Sequence, residues 1–129
     1  MIVVPPFLLK RLYLKGSLRS NAQGFQFELK NTLGSGYGTE LLPLTLDGKE
    51  LPKEDSYFVV DSQEISFSAV TKERPFTLAK NTASTILVKG VTLAEGPHKI
   101  GFNFVVQGLG KLGFEVADLV SPEASSAKQ

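Results

Sequence analysis

The sequence predicts an all-β protein, an antiparallel β-sandwich of about eight to nine short strands that forms a single domain. Apolar and polar residues alternate along most of the chain, as in strands with one buried face. Gly, Pro, Asp or Asn ends each short run, and no segment keeps the spacing of an amphipathic helix for three turns. The 129 residues suffice for one hydrophobic core but hardly for two.

The first strands show this alternation most clearly. In GFQFELKN, Phe25, Phe27 and Leu29 occupy one face and polar side chains the other, which predicts a strand with one buried side. The preceding LYLKGSL has the same alternation and places Tyr13 and Lys15 on the solvent face of its own strand.

Turn signals divide the middle of the chain into hairpins. In LPLTLDGKEL, Asp47–Gly48 is the residue pair best suited to the positive φ angles of a two-residue hairpin turn. YFVVDSQEISF predicts a second hairpin that turns near Asp61–Gln63. The best candidate for a turn of helix lies at Pro52–Ser56.

Three glycines near the C-terminus have the spacing of a dinucleotide-binding fingerprint. Gly108, Gly110 and Gly113 spell G-x-G-x-x-G, but a dinucleotide fold needs a helix after the glycines and an acidic residue about 20 positions later. Here a strand-like FEV follows Gly113, and too few residues remain for a helix, a strand and that carboxylate. The pattern therefore predicts a glycine-rich turn between two antiparallel strands.

Composition shifts at both ends divide the chain. We expect an N-terminal arm or edge strand at residues 1–11, the sandwich at 12–118 and a disordered C-terminal tail at 119–129. The apolar start is not expected to be a secretion signal, because its positive charges follow the apolar run and two prolines interrupt it. No run approaches the roughly 18 apolar residues of a membrane span, so we expect a cytoplasmic protein.

Composition excludes several chemistries. The chain has no cysteine, one histidine and a formal net charge of +1, which argues against thiol catalysis, disulfides, zinc sites and nucleic-acid binding. The acidic residues fall mainly in predicted turns and on polar strand faces, where solvated charges belong. We therefore expect no catalytic, cofactor-binding or metal-binding residue in this chain.

The remaining candidates are contact residues. Tyr37 lies in the glycine cluster GSGYG, where an exposed aromatic ring suits a protein or sugar surface. His98 begins the apolar face of its strand, which favours a packed, hydrogen-bonded histidine. The candidate partner or ligand contacts are Tyr37, Tyr13, Tyr57, Arg74 and His98.

Several motifs in order along residues 12–118 resemble the small β-subunit family of C-glycoside deglycosidases. They are LKGSLR, GFQFELKN, PLTLDGKELPKED, TILVKGVTLAEGPHKI and GKLGFEVAD. The loop NTLGSGYGTEL departs from the family pattern because it contains a tyrosine but no arginine. The motifs are strand and turn signals, and the departure predicts a divergent branch.

The resemblance implies a non-catalytic β-sandwich subunit that binds and stabilises a larger TIM-barrel, sugar-isomerase-like catalytic subunit in a hetero-oligomer. That partner would hold a divalent, manganese-like metal. The complex would act as a carbon–carbon lyase in carbohydrate metabolism, cleaving an oxidised sugar from its aromatic aglycone. The alternative is a free-standing immunoglobulin-like or carbohydrate-binding module, and an independent enzyme that uses His98 is a third possibility.

Overall fold

The computed structural model describes residues 5–120 and shows two antiparallel β-sheets packed face to face, which confirms the predicted sandwich. The helical elements of the described residues are α1 (Pro6–Leu9) and the 3-10 turns Lys10–Leu12, Lys53–Asp55 and Phe67–Ala69. The strands are β1 (Arg19–Ser20), β2 (Gly24–Lys30), β3 (Gly36–Leu41), β4 (Thr45–Leu46), β5 (Lys49–Glu50), β6 (Ser56–Val60), β7 (Gln63–Ser66), β8 (Phe76–Leu78), β9 (Ala83–Lys89), β10 (Gly96–Val106) and β11 (Gly110–Val120). None of the helices in this part of the chain is long and apolar enough to cross a membrane.

The first sheet has the order β1-β2-β9-β6-β7. In the second sheet β10 is central and pairs with β11 along its whole length. Phe104 pairs with Leu41 and Ile100 pairs with Leu46, so β3 and β4 follow one another along the other side of β10. Strands β8 and β5 complete that sheet beside β3 and β4.

The space between the sheets is filled largely by phenylalanine. Eight of the nine phenylalanines are buried, and the predicted inward residues of β2 are among them. The Phe58 and Phe76 rings lie 4.7 Å apart between centroids, and Phe102 and Phe104 lie 5.0 Å apart. The ninth, Phe7 on α1, is 66% exposed.

The predicted hairpin turns are present. Asp47 and Gly48 have φ angles of 52° and 88° between β4 and β5, as a type I′ turn requires. The β6–β7 hairpin turns through Asp61 and Ser62, which also have positive φ angles. The helical turn expected near Pro52–Ser56 is a 3-10 turn at Lys53–Asp55.

The glycine fingerprint forms the β10–β11 hairpin. Val106 pairs with Gly110, and the positive φ angles of Gly108 (86°) and Gly110 (84°) close the turn. Gly113 lies opposite Asn103, whose side chain occupies the space a Cβ atom would need. A strand follows the glycines, so the helix of a dinucleotide site does not form here.

Of the two predictions for the N-terminal segment, an arm or an edge strand, the edge strand does not form in its described part. Residues 6–12 form helical turns, not an edge strand, because the Pro5 carbonyl accepts hydrogen bonds from the backbone N–H groups of Leu8 and Leu9. Tyr13 forms one isolated bridge with Leu29, after which the chain turns at Gly16. The prediction that Tyr13 faces solvent is wrong, because its side chain packs inward and is only 6% exposed.

The element boundaries also differ. The described part of the chain has eleven strands, more than the eight to nine predicted, because a strand of two residues such as β1 is too brief for alternation to reveal. Strand β11 continues to Val120, so the predicted boundary at residue 118 falls inside it. The rest of the predicted tail (121–129) and the first four residues of the predicted arm lie outside the described residues.

Candidate functional site

The predicted contact residues lie in separate places. Tyr37 is 55% exposed on β3, opposite Thr77. Tyr57 lies on the outer face of the other sheet, with the Lys89 Nζ 4.4 Å from its ring centroid. Arg74 lies in the exposed turn before β8, where its backbone N–H donates to the Thr71 carbonyl at 3.1 Å. These three residues therefore do not form one surface site.

Tyr13 belongs to a buried polar cluster that joins the two sheets. Its hydroxyl donates to Asp118 Oδ2 at 2.6 Å, and the Gly16 backbone N–H donates to the same oxygen at 2.8 Å. The Leu119 N–H donates to the other carboxylate oxygen at 2.8 Å. The cluster fastens the N-terminal segment beside β2 to the edge strand β11.

These contacts change the pKa values of both groups. Burial, followed by the hydrogen bond and charge of Asp118, raises the pKa of the Tyr13 hydroxyl far above its usual range. Burial opposes ionisation of Asp118, but its hydrogen bonds from Tyr13 and from the backbone N–H groups of Leu119, Gly16 and Leu18 outweigh burial and lower the pKa of its carboxyl. The Asp118 carboxylate is therefore held in place by donors that all belong to this domain.

His98 forms a second polar cluster at the same end. Its Nδ1 lies 2.7 Å from Asp47 Oδ2, and its Nε2 lies 2.8 Å from the Ala94 carbonyl oxygen. Asp47 Oδ1 also accepts the Lys99 backbone N–H at 2.8 Å. The hydrogen bond with Asp47, followed by that with Ala94, raises the pKa of His98, because two acceptors favour a ring that carries both protons.

The same contacts act on Asp47 in the opposite direction. The Lys99 backbone N–H, followed by His98, lowers the pKa of the Asp47 carboxyl. A histidine held between a carboxylate and a carbonyl has no ring nitrogen left to accept a proton from a substrate. Within residues 5–120, no group of three or more His, Cys, Asp or Glu residues could hold a metal ion. Through these two hydrogen bonds, His98 holds the β4–β5 turn and the 91–95 loop against β10.

An apolar groove lies at the other end of the sandwich, where β10 turns into β11. Its volume is about 180 Å³. Its walls come from the N-terminal turns, the loop after β2 and the β10–β11 hairpin. Its apolar side chains are Leu9, Leu12, Leu33, Phe104, Val106, Leu109 and Leu112. A smaller cavity of about 30 Å³ between the sheets adjoins it, since both share Leu12, Asn31 and Phe104.

Asn31 gives the groove its shape. Its side-chain oxygen accepts the backbone N–H groups of Leu33 and Gly34 at 3.2 and 3.4 Å, and its amide nitrogen donates to the Gly34 carbonyl at 2.6 Å. This Asx-type turn satisfies the loop backbone locally and leaves Leu33 40% exposed at the groove wall. The hairpin supplies the opposite wall through Leu109, whose N–H donates to the Val106 carbonyl at 3.0 Å.

The alternation of apolar and polar residues does not predict this groove. The available signals were single leucines inside glycine-rich turns, Leu33 before GSGYG and Leu109 between Gly108 and Gly110. A leucine in a turn has no period-two partner, so alternation assigns it no face. Only the tertiary structure brings these leucines to the same groove.

The family of the chain differs from the one that the motifs resemble. The model of the family described as "Hydroxymethylglutaryl-CoA reductase, N-terminal domain" matches residues 8–121, while no curated protein matches the chain. The predicted membership of the C-glycoside deglycosidase β-subunit family is therefore wrong, as is its assignment to a lyase complex of carbohydrate metabolism. The motifs that carried it are strand and turn signals common to many sandwiches. The chain belongs to the hydroxymethylglutaryl-CoA reductase N-terminal domain family.

Proposed function

We propose that this chain is a non-catalytic, protein-binding domain whose apolar groove receives a hydrophobic side chain of a larger partner protein. The observation that carries this proposal is the open groove of about 180 Å³ at one end of a well-packed sandwich. The TIM-barrel partner, its manganese-like metal and the C-glycoside substrate rested on the resemblance and have no other support. The partner is therefore defined here by what would fit the groove.

The groove has the size of one large side chain. A leucine-lined cavity of roughly 150 Å³ binds benzene, so this groove has room for an aromatic or branched aliphatic side chain. Transfer of such a side chain from water contributes about 1.5–3 kcal/mol. One anchor residue in a desolvated pocket is the usual centre of a protein interface.

The polar clusters at the other end support a role without catalysis. Asp and His are common in active sites, but the described hydrogen bonds of Asp118 and His98 all join elements of this domain. The matched family is described as the N-terminal domain of a hydroxymethylglutaryl-CoA reductase, which supports attachment to, or assembly with, a larger enzyme. The lack of cysteine favours a reducing compartment such as the cytoplasm.

A fragment titration tests the groove directly. In protein with ¹³C-labelled leucine methyl groups, indole and toluene should shift the signals of Leu9, Leu33, Leu109 and Leu112. Leu46, which borders the β4–β5 turn at the opposite end, is the internal control. Leu33→Asp should abolish the shifts without unfolding the domain. Shifts spread evenly over all leucines, or none at millimolar fragment, would contradict the proposal.

A further inference from the structure

Positively charged residues flank the segments that line the groove. Its lining segments, residues 9–12, 31–36 and 104–112, contain no acidic residue. Five exposed cationic residues lie within or beside these segments, and we call them the basic rim: Lys10, Arg11, Lys30, Lys80 and Lys111. Since the whole chain has a formal net charge of +1, this charge is concentrated at one end and balanced elsewhere.

Three rim residues adjoin residues that line the groove. Arg11 directly precedes Leu12 and Lys111 directly precedes Leu112, so their backbones lie about 3.8 Å from residues that line the groove. Lys80 comes from a distant part of the sequence, and its backbone N–H donates to Ser35 Oγ at 3.1 Å. Charges act over about 8 Å at physiological ionic strength, which sets the range within which a rim charge would influence a ligand in the groove.

The described side chains do not neutralise the rim. The ion pairs among residues 5–120 are Arg19–Glu28, Lys89–Glu64 and His98–Asp47, and none includes a rim residue. Two exposed acidic residues also lie at this end, Asp61 in the β6–β7 turn at the far edge of the first sheet and Glu40 of β3, which pairs with Val105. Within the described part of the chain, neither forms an ion pair with a rim residue. The groove therefore combines an apolar floor with a cationic border.

We propose that the partner segment is acidic: one hydrophobic side chain enters the groove, and neighbouring Asp or Glu residues face the basic rim. This inference rests on the proposed protein-binding function and specifies the chemistry of the partner. Complementary charge raises the association rate and excludes partners of the wrong sign, while the buried side chain supplies most of the affinity.

Three capped heptapeptides test the inference. Each has a central Leu-Phe pair, flanked by Asp and Glu, by Asn and Gln, or by Lys. The acidic peptide should bind about tenfold more tightly than the neutral one at low salt, and the difference should shrink at about 300 mM NaCl. Dissociation constants come from the leucine methyl signals, which need no charged label.

A charge-reversal pair with a matched control locates the effect. Lys30→Glu with Lys111→Glu should remove the advantage of the acidic peptide and leave the neutral peptide unaffected. Lys49→Glu with Lys53→Glu makes the same change in net charge at the opposite end and should leave the advantage intact. An unchanged Tm in both double variants shows that the fold is retained.

The outcomes separate the two proposals. Equal binding of acidic and neutral peptides, sensitive to Leu33→Asp, would overturn the acidic partner and leave the groove as a protein-binding site. Preference for the basic peptide, or binding of sodium decanoate without any peptide, would also overturn the acidic partner. Failure of indole and of all three peptides to bind at the groove would overturn both proposals.

Discussion

The two ends of the sandwich are built from different kinds of contact. At the end near Gly96, hydrogen bonds to Asp118 and His98 join the N-terminal segment, the β4–β5 turn and the 91–95 loop to β10 and β11. At the end near Val106, leucines border a groove that no described element fills. One end is held together by polar contacts, and the other carries a groove with apolar walls.

The polar end and the apolar end are expected to contribute differently to the stability of the fold and to ligand binding. A buried carboxylate is tolerated only where donors surround it, so the polar end is fixed in one arrangement. Exposed apolar surface adds nothing to folding, but it contributes free energy when a ligand covers it. We therefore expect substitutions at the polar end to affect stability and substitutions at the apolar end to affect binding.

The largest expected effect is that of Asp118→Ala. The change leaves the buried Tyr13 hydroxyl and the part-buried Gly16 N–H without their acceptor, which should lower the free energy of unfolding by about 3 kcal/mol. Urea unfolding followed by circular dichroism measures the loss. Glu115→Ala, at an exposed position of the same strand, is the control and should change stability by less than about 0.5 kcal/mol. A loss below about 1 kcal/mol in Asp118→Ala would show that the cluster does not hold this end together.

A smaller effect is expected from the titration of His98. The pKa of His98 is raised in the folded protein, so its contribution is fully present below the unfolded value of about 6.5 and is lost as pH rises through the folded pKa. The free energy of unfolding should fall over that range by less than about 1 kcal/mol, because Asp47 is half exposed and screened. The measurement is urea unfolding at a series of pH values, with His98→Gln as the control that should lack this slope.

The smallest effect on stability is expected from Leu33→Asp in the groove wall. Leu33 is already 40% exposed, so the free energy of unfolding should change by less than about 0.5 kcal/mol although indole binding is lost. Leu44→Asp, at a position only 1% exposed, is the contrast and should prevent folding. A large destabilisation by Leu33→Asp would mean that the apolar end also stabilises the fold.

Local sequence patterns predicted the structure correctly where the outcome depended on neighbouring residues alone. The alternation of Phe25, Phe27 and Leu29 correctly predicted the buried face of β2, and Asp47–Gly48 correctly predicted the β4–β5 turn. Side-chain period and φ preference are properties of neighbouring residues. In LYLKGSL the same alternation misled, since Tyr13 follows a helical turn and its hydroxyl meets Asp118 from the far end of the chain. The family resemblance failed for a related reason: its motifs described strands and turns that many sandwiches need.

The sequence by itself determined the all-β sandwich, the β10–β11 hairpin built on the glycine fingerprint, and the predicted turns. Only the tertiary structure decided that Tyr13 is buried on Asp118, that His98 bridges Asp47 and Ala94, and that leucines from distant turns form one groove with a basic rim. The physical reason is range. Backbone preference and side-chain alternation act between neighbours, whereas a buried hydrogen bond or an apolar groove depends on which distant segments the fold brings into contact.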